Sequence, residues 1–145
     1  MATYYDSSAV LEVLLGGASD RAVVACWEDD PVRVTSVLLE AESVTVLRRA
    51  ARLAKVEGEA PAVRRRLAAL DQYLEAMIVH DVDREVLDIV RRTGSLADCR
   101  SLDALLLATA LLLRQHLDEP LRMCVLDHRL RRLASAHGFP VLPAD

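Results

Sequence analysis

Asp6, Glu42, Asp103 and Asp127 are four acids whose settings give them chemistry to do. Asp6 closes the apolar run Ala2-Thr3-Tyr4-Tyr5, and Asp127 closes Met123-Cys124-Val125-Leu126. Both runs read as strands, each followed by a helical pattern. Glu42 lies inside the helical stretch that starts near Val37, and Asp103 in the first turn of another, Ser101 to Arg114. Carboxylates aimed at one place repel one another, raise one another's pKa and cost folding energy, so such a group calls for a cation. Hard oxygen donors select Mg²⁺ or Mn²⁺. An ion of that kind supports metal-assisted hydrolysis, with phosphodiester cleavage as the leading case.

Helical spacing shows which way two of these acids point. Leu106, Leu107 and Ala110 follow Asp103 at i+3, i+4 and i+7, so an ionised group shares the buried stripe of its helix. The helix dipole favours an acid in a first turn, but it does not turn that acid inward. A buried acid needs a partner, here an arginine or a metal. Glu42 is flanked by Leu38, Leu39 and Val46, whereas Glu40 lies on the opposite, solvent side. An ion pair with Arg49 is the ordinary alternative for Glu42. Asp6 and Asp127, taken singly, would serve as helix N-caps. In an open parallel sheet, however, ligands bind beyond the C-terminal strand ends, and both sit one residue past such an end.

The segments that must position these groups alternate between strand-like and helix-like, which predicts an α/β domain with a mainly parallel sheet. Strands are expected at Ala2–Tyr5, Arg33–Thr35, Ala76–His80, Met123–Leu126 and Phe139–Leu142. Helices are expected at Ser8–Leu14, Asp20–Glu28, Val37–Ala54, Ala62–Leu74, Asp83–Arg92, Ser101–Arg114 and His128–His137. Gly16-Gly17, Gly94 and Gly138 punctuate the pattern, and Gly58 and Pro61 mark a turn between the third and fourth helices. That pair makes a helical hairpin. Its first arm repeats Val37, Ala41, Val44, Leu47, Ala51 and Ala54 as a long apolar stripe.

With 145 residues, 52% of them apolar, the chain is expected to form one domain with a full core. Aromatic residues are only 3%, too few for a binder that stacks bases. The net charge of −4 gives no global basic field. Lys55 is the single lysine, and arginines cluster at 48, 49 and 52, at 64–66, and at 129, 131 and 132. Arginine grips phosphate and carboxylate bidentately, although such clusters also make ordinary solvated helix faces. Cys26, Cys99 and Cys124 show neither zinc spacing nor a disulfide framework, which predicts a reducing, cytoplasmic setting. Tyr4-Tyr5-Asp6 interrupts any apolar leader, and the run Ala104–Leu113 is too short to span a bilayer. No membrane association is expected.

In order and setting these acids make the chain resemble the PIN-domain ribonucleases, in particular the VapC-like toxins of bacterial toxin–antitoxin modules. The matching segments begin with Tyr4-Tyr5-Asp6-Ser7-Ser8-Ala9 and Thr35-Ser36-Val37-Leu38 leading to Glu42. They continue with Arg100-Ser101-Leu102-Asp103-Ala104-Leu105 through Ala108-Thr109-Ala110, then Val125-Leu126-Asp127-His128-Arg129-Leu130 and Gly138-Phe139-Pro140-Val141. The resemblance implies a three-layer α/β/α fold with about five strands and a protruding helical hairpin. It carries over Asp6, Glu42 and Asp103 as an acidic triad and Asp127 as a fourth acid. Two positions depart: Val125 stands where the family usually has threonine or serine, and Leu106 where many members have histidine.

The implied activity is Mg²⁺- or Mn²⁺-dependent endoribonuclease cleavage, with structured cellular RNA such as transfer RNA as substrate. Asp6, Asp103 and Asp127 are then expected as direct or water-mediated ligands and Glu42 as a water-mediated one or the group orienting the nucleophile. Ser8 is a candidate for positioning a phosphate or a metal-bound water. The resemblance also implies an antitoxin peptide gripped along the hairpin, and a homodimer. A PIN-like module that binds RNA or protein but cuts poorly is the alternative, kept open by Val125. A phosphoacceptor or phosphatase is disfavoured. Its lysine would have to be the distant Lys55, Asp6 is followed by Ser7-Ser8 rather than a second acid, and no glycine-rich phosphate loop occurs.

Overall fold

The computed structural model describes residues 1–54 and 61–144. The turn expected at Gly58 and the lone Lys55 lie outside the described residues. Strands β1 (Ala2–Tyr5), β2 (Val32–Ser36), β3 (Ile78–His80), β4 (Leu121–Cys124) and β5 (Val141–Leu142) form one all-parallel sheet in the order β3-β2-β1-β4-β5. The helices are α1 (Ser7–Leu15), α2 (Asp20–Asp29), α3 (Leu38–Leu53), α4 (Pro61–Glu75), α5 (Arg84–Arg92), α6 (Ser101–His116) and α7 (His128–Ala136). The fold is therefore the three-layer α/β arrangement expected, with every anticipated strand and helix present.

The connections explain where a site can form. From β1 the chain winds outward through β2 to the β3 edge, then crosses to β4 on the other side of β1 and continues to β5. The direction of winding reverses beside β1, so the crevice at the C-terminal ends of β1 and β4 is the switch point. Two apolar cores flank the sheet. Val86, Ile89, Leu107, Leu130 and Phe139 of the α5–α7 side close on one face, with Tyr4 and Val34. Val10, Leu39, Leu47 and Leu70 close on the other, with Tyr5 and Cys124. Helix α6 is buried over much of its circumference, and Leu107 within it is wholly buried. Full burial of such a leucine contributes roughly 1.5–3 kcal/mol, which anchors the helix that carries Asp103.

Element boundaries differ from the expected ones where pairing partners run out. Strand β4 stops at Cys124 rather than Leu126, because β5 offers only Val141 and Leu142 opposite Met123 and Cys124. Asp127 thus stands three residues past its strand, not one. Strand β3 starts at Ile78 rather than Ala76, because the amides of Ala76 and Met77 still close the end of α4. Strand β5 starts at Val141 rather than Phe139, whose amide bonds back to Ala134. A 3-10 turn at Gly94–Asp98 was not anticipated. The apolar stripe of α3 was displaced as well. Leu39, Ser43 and Leu47 are its buried residues, while Ala41 and Ala54 are exposed, because α3 packs on α1 and α4 through that other face. No helix among the described residues is long and apolar enough to cross a membrane.

Candidate active site

Asp6 follows the last residue of β1 in extended backbone and caps α1. Its Oδ2 accepts from the Ser8 amide at 3.0 Å and from the Ser8 hydroxyl. Its Oδ1 is buried with no hydrogen-bond partner. Capping therefore explains one oxygen and leaves the other. Asp127 caps α7, its Oδ1 accepting from the Leu130 amide at 2.8 Å, and unlike Asp6 it is exposed.

The Ser8 hydroxyl, besides donating to Asp6, accepts from the amides of Leu126 at 3.0 Å and Asp127 at 3.4 Å. It ties the β1–α1 junction to the segment after β4. Its proton and both lone pairs are committed, so the geometry gives Ser8 a bracing task rather than contact with a phosphate.

Glu42, in the second turn of α3, and Asp103, in the first turn of α6, complete the group. Oε1 of Glu42 and Oδ2 of Asp103 are buried and lack hydrogen-bond partners. The arginine considered for Asp103 exists. Arg129 Nε stands 3.4 Å from Asp103 Oδ2, within ion-pair range, yet neither atom is hydrogen-bonded.

Mutual repulsion links all four acids. Burial pushes Asp6 above its ordinary value, the Ser8 and Ser7 hydrogen bonds draw it back, and Asp127 pushes it up again. Burial raises Glu42 most, followed by repulsion from Asp6; a Ser7 hydrogen bond opposes this and Asp103 adds to it, leaving Glu42 at about 7. Tyr4, buried with an unpartnered hydroxyl, is raised by burial and then by Asp6 and Glu42.

These observations test whether a divalent ion fits. Three segments distant in sequence each present a buried oxygen without a hydrogen-bond partner, that of Asp103 facing Arg129, and the donors are the hard oxygens that Mg²⁺ and Mn²⁺ prefer. Among the described residues no three His, Cys, Asp or Glu side chains lie close enough to enclose an ion as they stand. The acids are gathered but not closed around a point, which suits an ion that keeps several of its waters.

Glu42 supplies a pH prediction. Its raised value means the metal-free fold prefers the protonated acid, so this group's stabilisation is lost as pH rises from 4.5 through about 7. Metal binding needs the ionised form. The rise in Tm on adding Mn²⁺ should therefore be larger at pH 8 than at pH 6, measured by thermal denaturation. Replacement by glutamine should remove that difference; a difference that survives in Glu42→Gln would assign it to another group.

Val125 and Leu106 are both core residues, at 0% and 2% exposure. Arg129, Tyr4 and Ser7 were not singled out from sequence. Arg129 carried a readable signal: a cation in a helix's first turn opposes the dipole and so needs a local anion. Arg131, from the same cluster, donates to the carbonyls of Val125, Leu142 and Pro143 and secures β5. The histidines take packing or surface roles: His80 meets Asp83 at 3.1 Å, His137 bonds Leu133 O, and His128 is exposed.

The family model described as PIN domain matches residues 3–136. No curated protein matches the sequence. Among solved structures, a toxin–antitoxin complex from Klebsiella pneumoniae superposes with a TM-score of 0.62 at 16% identity, over 97% of this chain and 96% of that one. VapC20 of Mycobacterium tuberculosis, described as a sarcin-ricin-loop-cleaving toxin, superposes with a TM-score of 0.63 at 20% identity, over 94% and 95%. At those identities the likeness is one of fold.

Proposed function

Since this chain belongs to the PIN-domain family, we propose that it is a divalent-metal-dependent endoribonuclease, acting as the toxin of a toxin–antitoxin pair. The observation that carries the reading is the set of buried oxygens without hydrogen-bond partners on Asp6, Glu42 and Asp103 at the switch point of the sheet. The names of the two structural neighbours support the toxin assignment. The working unit is a single domain over residues 1–145, acting in the cytoplasm.

Asp6, Asp103 and Asp127 would hold the ion, directly or through water. Bound there, Mg²⁺ or Mn²⁺ would offset phosphate charge and acidify an attacking water. Glu42, which burial and its acidic neighbours hold at about 7 while the site is metal-free, would bind the ion through water or orient the attacking water once ionised. Ser8 keeps the Asp6 and Asp127 strand ends in register. A recessed acidic site reaches the exposed backbone of single-stranded or looped RNA more readily than a duplex.

The antitoxin would dock along the hairpin, on the side of its second arm, α4, that borders α1. A groove of about 480 Å³ between α1 and α4 has Val13, Leu14, Ala69 and Tyr73 as apolar lining and Arg65 and Arg66 beside them. An amphipathic peptide fits that chemistry. A homodimer belongs to the same proposal.

With Mg²⁺ or Mn²⁺ the purified protein should cut RNA at discrete positions, read by sequencing the 5′ ends of the fragments, and EDTA should stop it. Burial of Val125 and Leu106 in place of polar side chains favours one second reading, a PIN-like binding module. Uptake of Mn²⁺ with RNA left whole would select that reading.

A further inference from the structure

Arg129 is a cation set against the carboxylate group, and its arrangement is unusual for a structural ion pair. A pair retained for stability normally aligns N–H with oxygen. Here Nε and Asp103 Oδ2 are 3.4 Å apart, both buried, and neither makes a hydrogen bond. Asp103 is 15% exposed and Arg129 41%. One edge of the guanidinium thus faces the acid while much of the side chain remains open to solvent. The backbone around it is fixed, because Asp127 caps α7 two residues earlier and the following Leu130 is buried in the core. The arginine is held at its base and loosely engaged at its tip.

In the first turn of α7 Arg129 opposes the helix dipole, a cost of about 0.3–1 kcal/mol that a nearby anion offsets. Two anions are available to this site. Asp103 is the one in contact; the phosphate of a bound RNA is the other, under the nuclease reading on which this inference rests. A divalent ion and Arg129 compete for the same carboxylate oxygen. Once Asp103 is committed to the ion, the guanidinium loses its counter-ion and presents a bidentate donor edge to the cleft. We propose that Arg129 is the phosphate-gripping residue of this site, parked on Asp103 until a divalent ion takes that oxygen. The same contact makes Arg129 an internal competitor that weakens metal uptake in the absence of RNA.

Arg129→Gln separates these roles. Titration of the RNA-free protein with Mn²⁺ by calorimetry should show about two- to fivefold tighter binding in the variant, the size expected for removing a partly exposed charge pair. Its KM for RNA should rise by about tenfold or more, from loss of a charged bidentate contact. Arg129→Lys keeps the charge but not the fork, so it should restore wild-type Mn²⁺ affinity and leave KM raised. Equal Mn²⁺ affinity in wild type and Arg129→Gln, or an unchanged KM, would overturn the assignment of Arg129 while leaving the nuclease reading intact. Absence of Mn²⁺ binding by the wild type would overturn both.

Discussion

Asp6→Asn should abolish metal-dependent RNA cleavage and leave the metal-free protein at least as stable as the wild type. The two expectations share a cause. Asp6 is 4% exposed, one of its oxygens has no partner, and Asp127 repels it. Burial and that repulsion make its ionisation costlier in the metal-free site than in water, a cost that a bound cation would offset. Asparagine keeps the shape and an acceptor for the Ser8 amide, so the cap on α1 survives. Removing a charge that helps hold the ion forfeits several kcal/mol of transition-state stabilisation, or roughly a 10³-fold loss of rate. Relief of burial and repulsion should raise the metal-free Tm by about 2–4 °C. Thermal denaturation with and without Mn²⁺, beside a cleavage assay, checks both. A variant that cuts RNA at the wild-type rate would remove Asp6 from the site, and a much lower metal-free Tm would make its role structural.

The second large effect lies away from the cleft. Arg122→Leu should destabilise the protein by about 3–5 kcal/mol, because it strands a buried charge. The Asp30 side chain is completely buried, accepting from the Tyr5 hydroxyl at 2.6 Å and from Arg122 Nη2. Arg122 sits on β4 opposite Thr3 of β1, whose hydroxyl accepts from Nε at 3.4 Å. The network thus joins the segment entering β2, the strand carrying Asp6 and the strand leading to Asp127. Without the guanidinium, Asp30 must protonate or unfold its surroundings. Chemical denaturation should show the loss, and Asp30→Asn in the Arg122→Leu background should recover much of it. A loss below about 1 kcal/mol would mean that water or rearrangement replaces the arginine.

Local pattern was enough to place the strands and helices. Strong helical periodicity, Pro61 at a helix start and Gly138 at positive φ left few alternatives for the chain's course. The order of Asp6, Glu42, Asp103 and Asp127 relative to those elements was legible too. An acid after a strand or on a buried helical stripe is a local fact, and it carried the family resemblance that the PIN-domain match bears out. The metal-ligand roles of those acids remain proposals resting on the unpartnered oxygens.

Tertiary structure decided everything that depends on which neighbour arrives from elsewhere in the chain. Strand β4 ends at Cys124 because β5 is short, and no property of Val125 or Leu126 announces it. The buried face of α3 runs through Leu39, Ser43 and Leu47 because α1 and α4 press there. Ser8 braces two strand ends, Arg131 secures β5 and Arg129 meets Asp103, three tasks that the types of these residues left open. Periodicity is a property of a few consecutive residues, whereas ion pairs and bracing hydrogen bonds join residues as much as 119 positions apart. The chain therefore announced its elements and its acids, and only their packing determined which cation and which hydroxyl those acids would face.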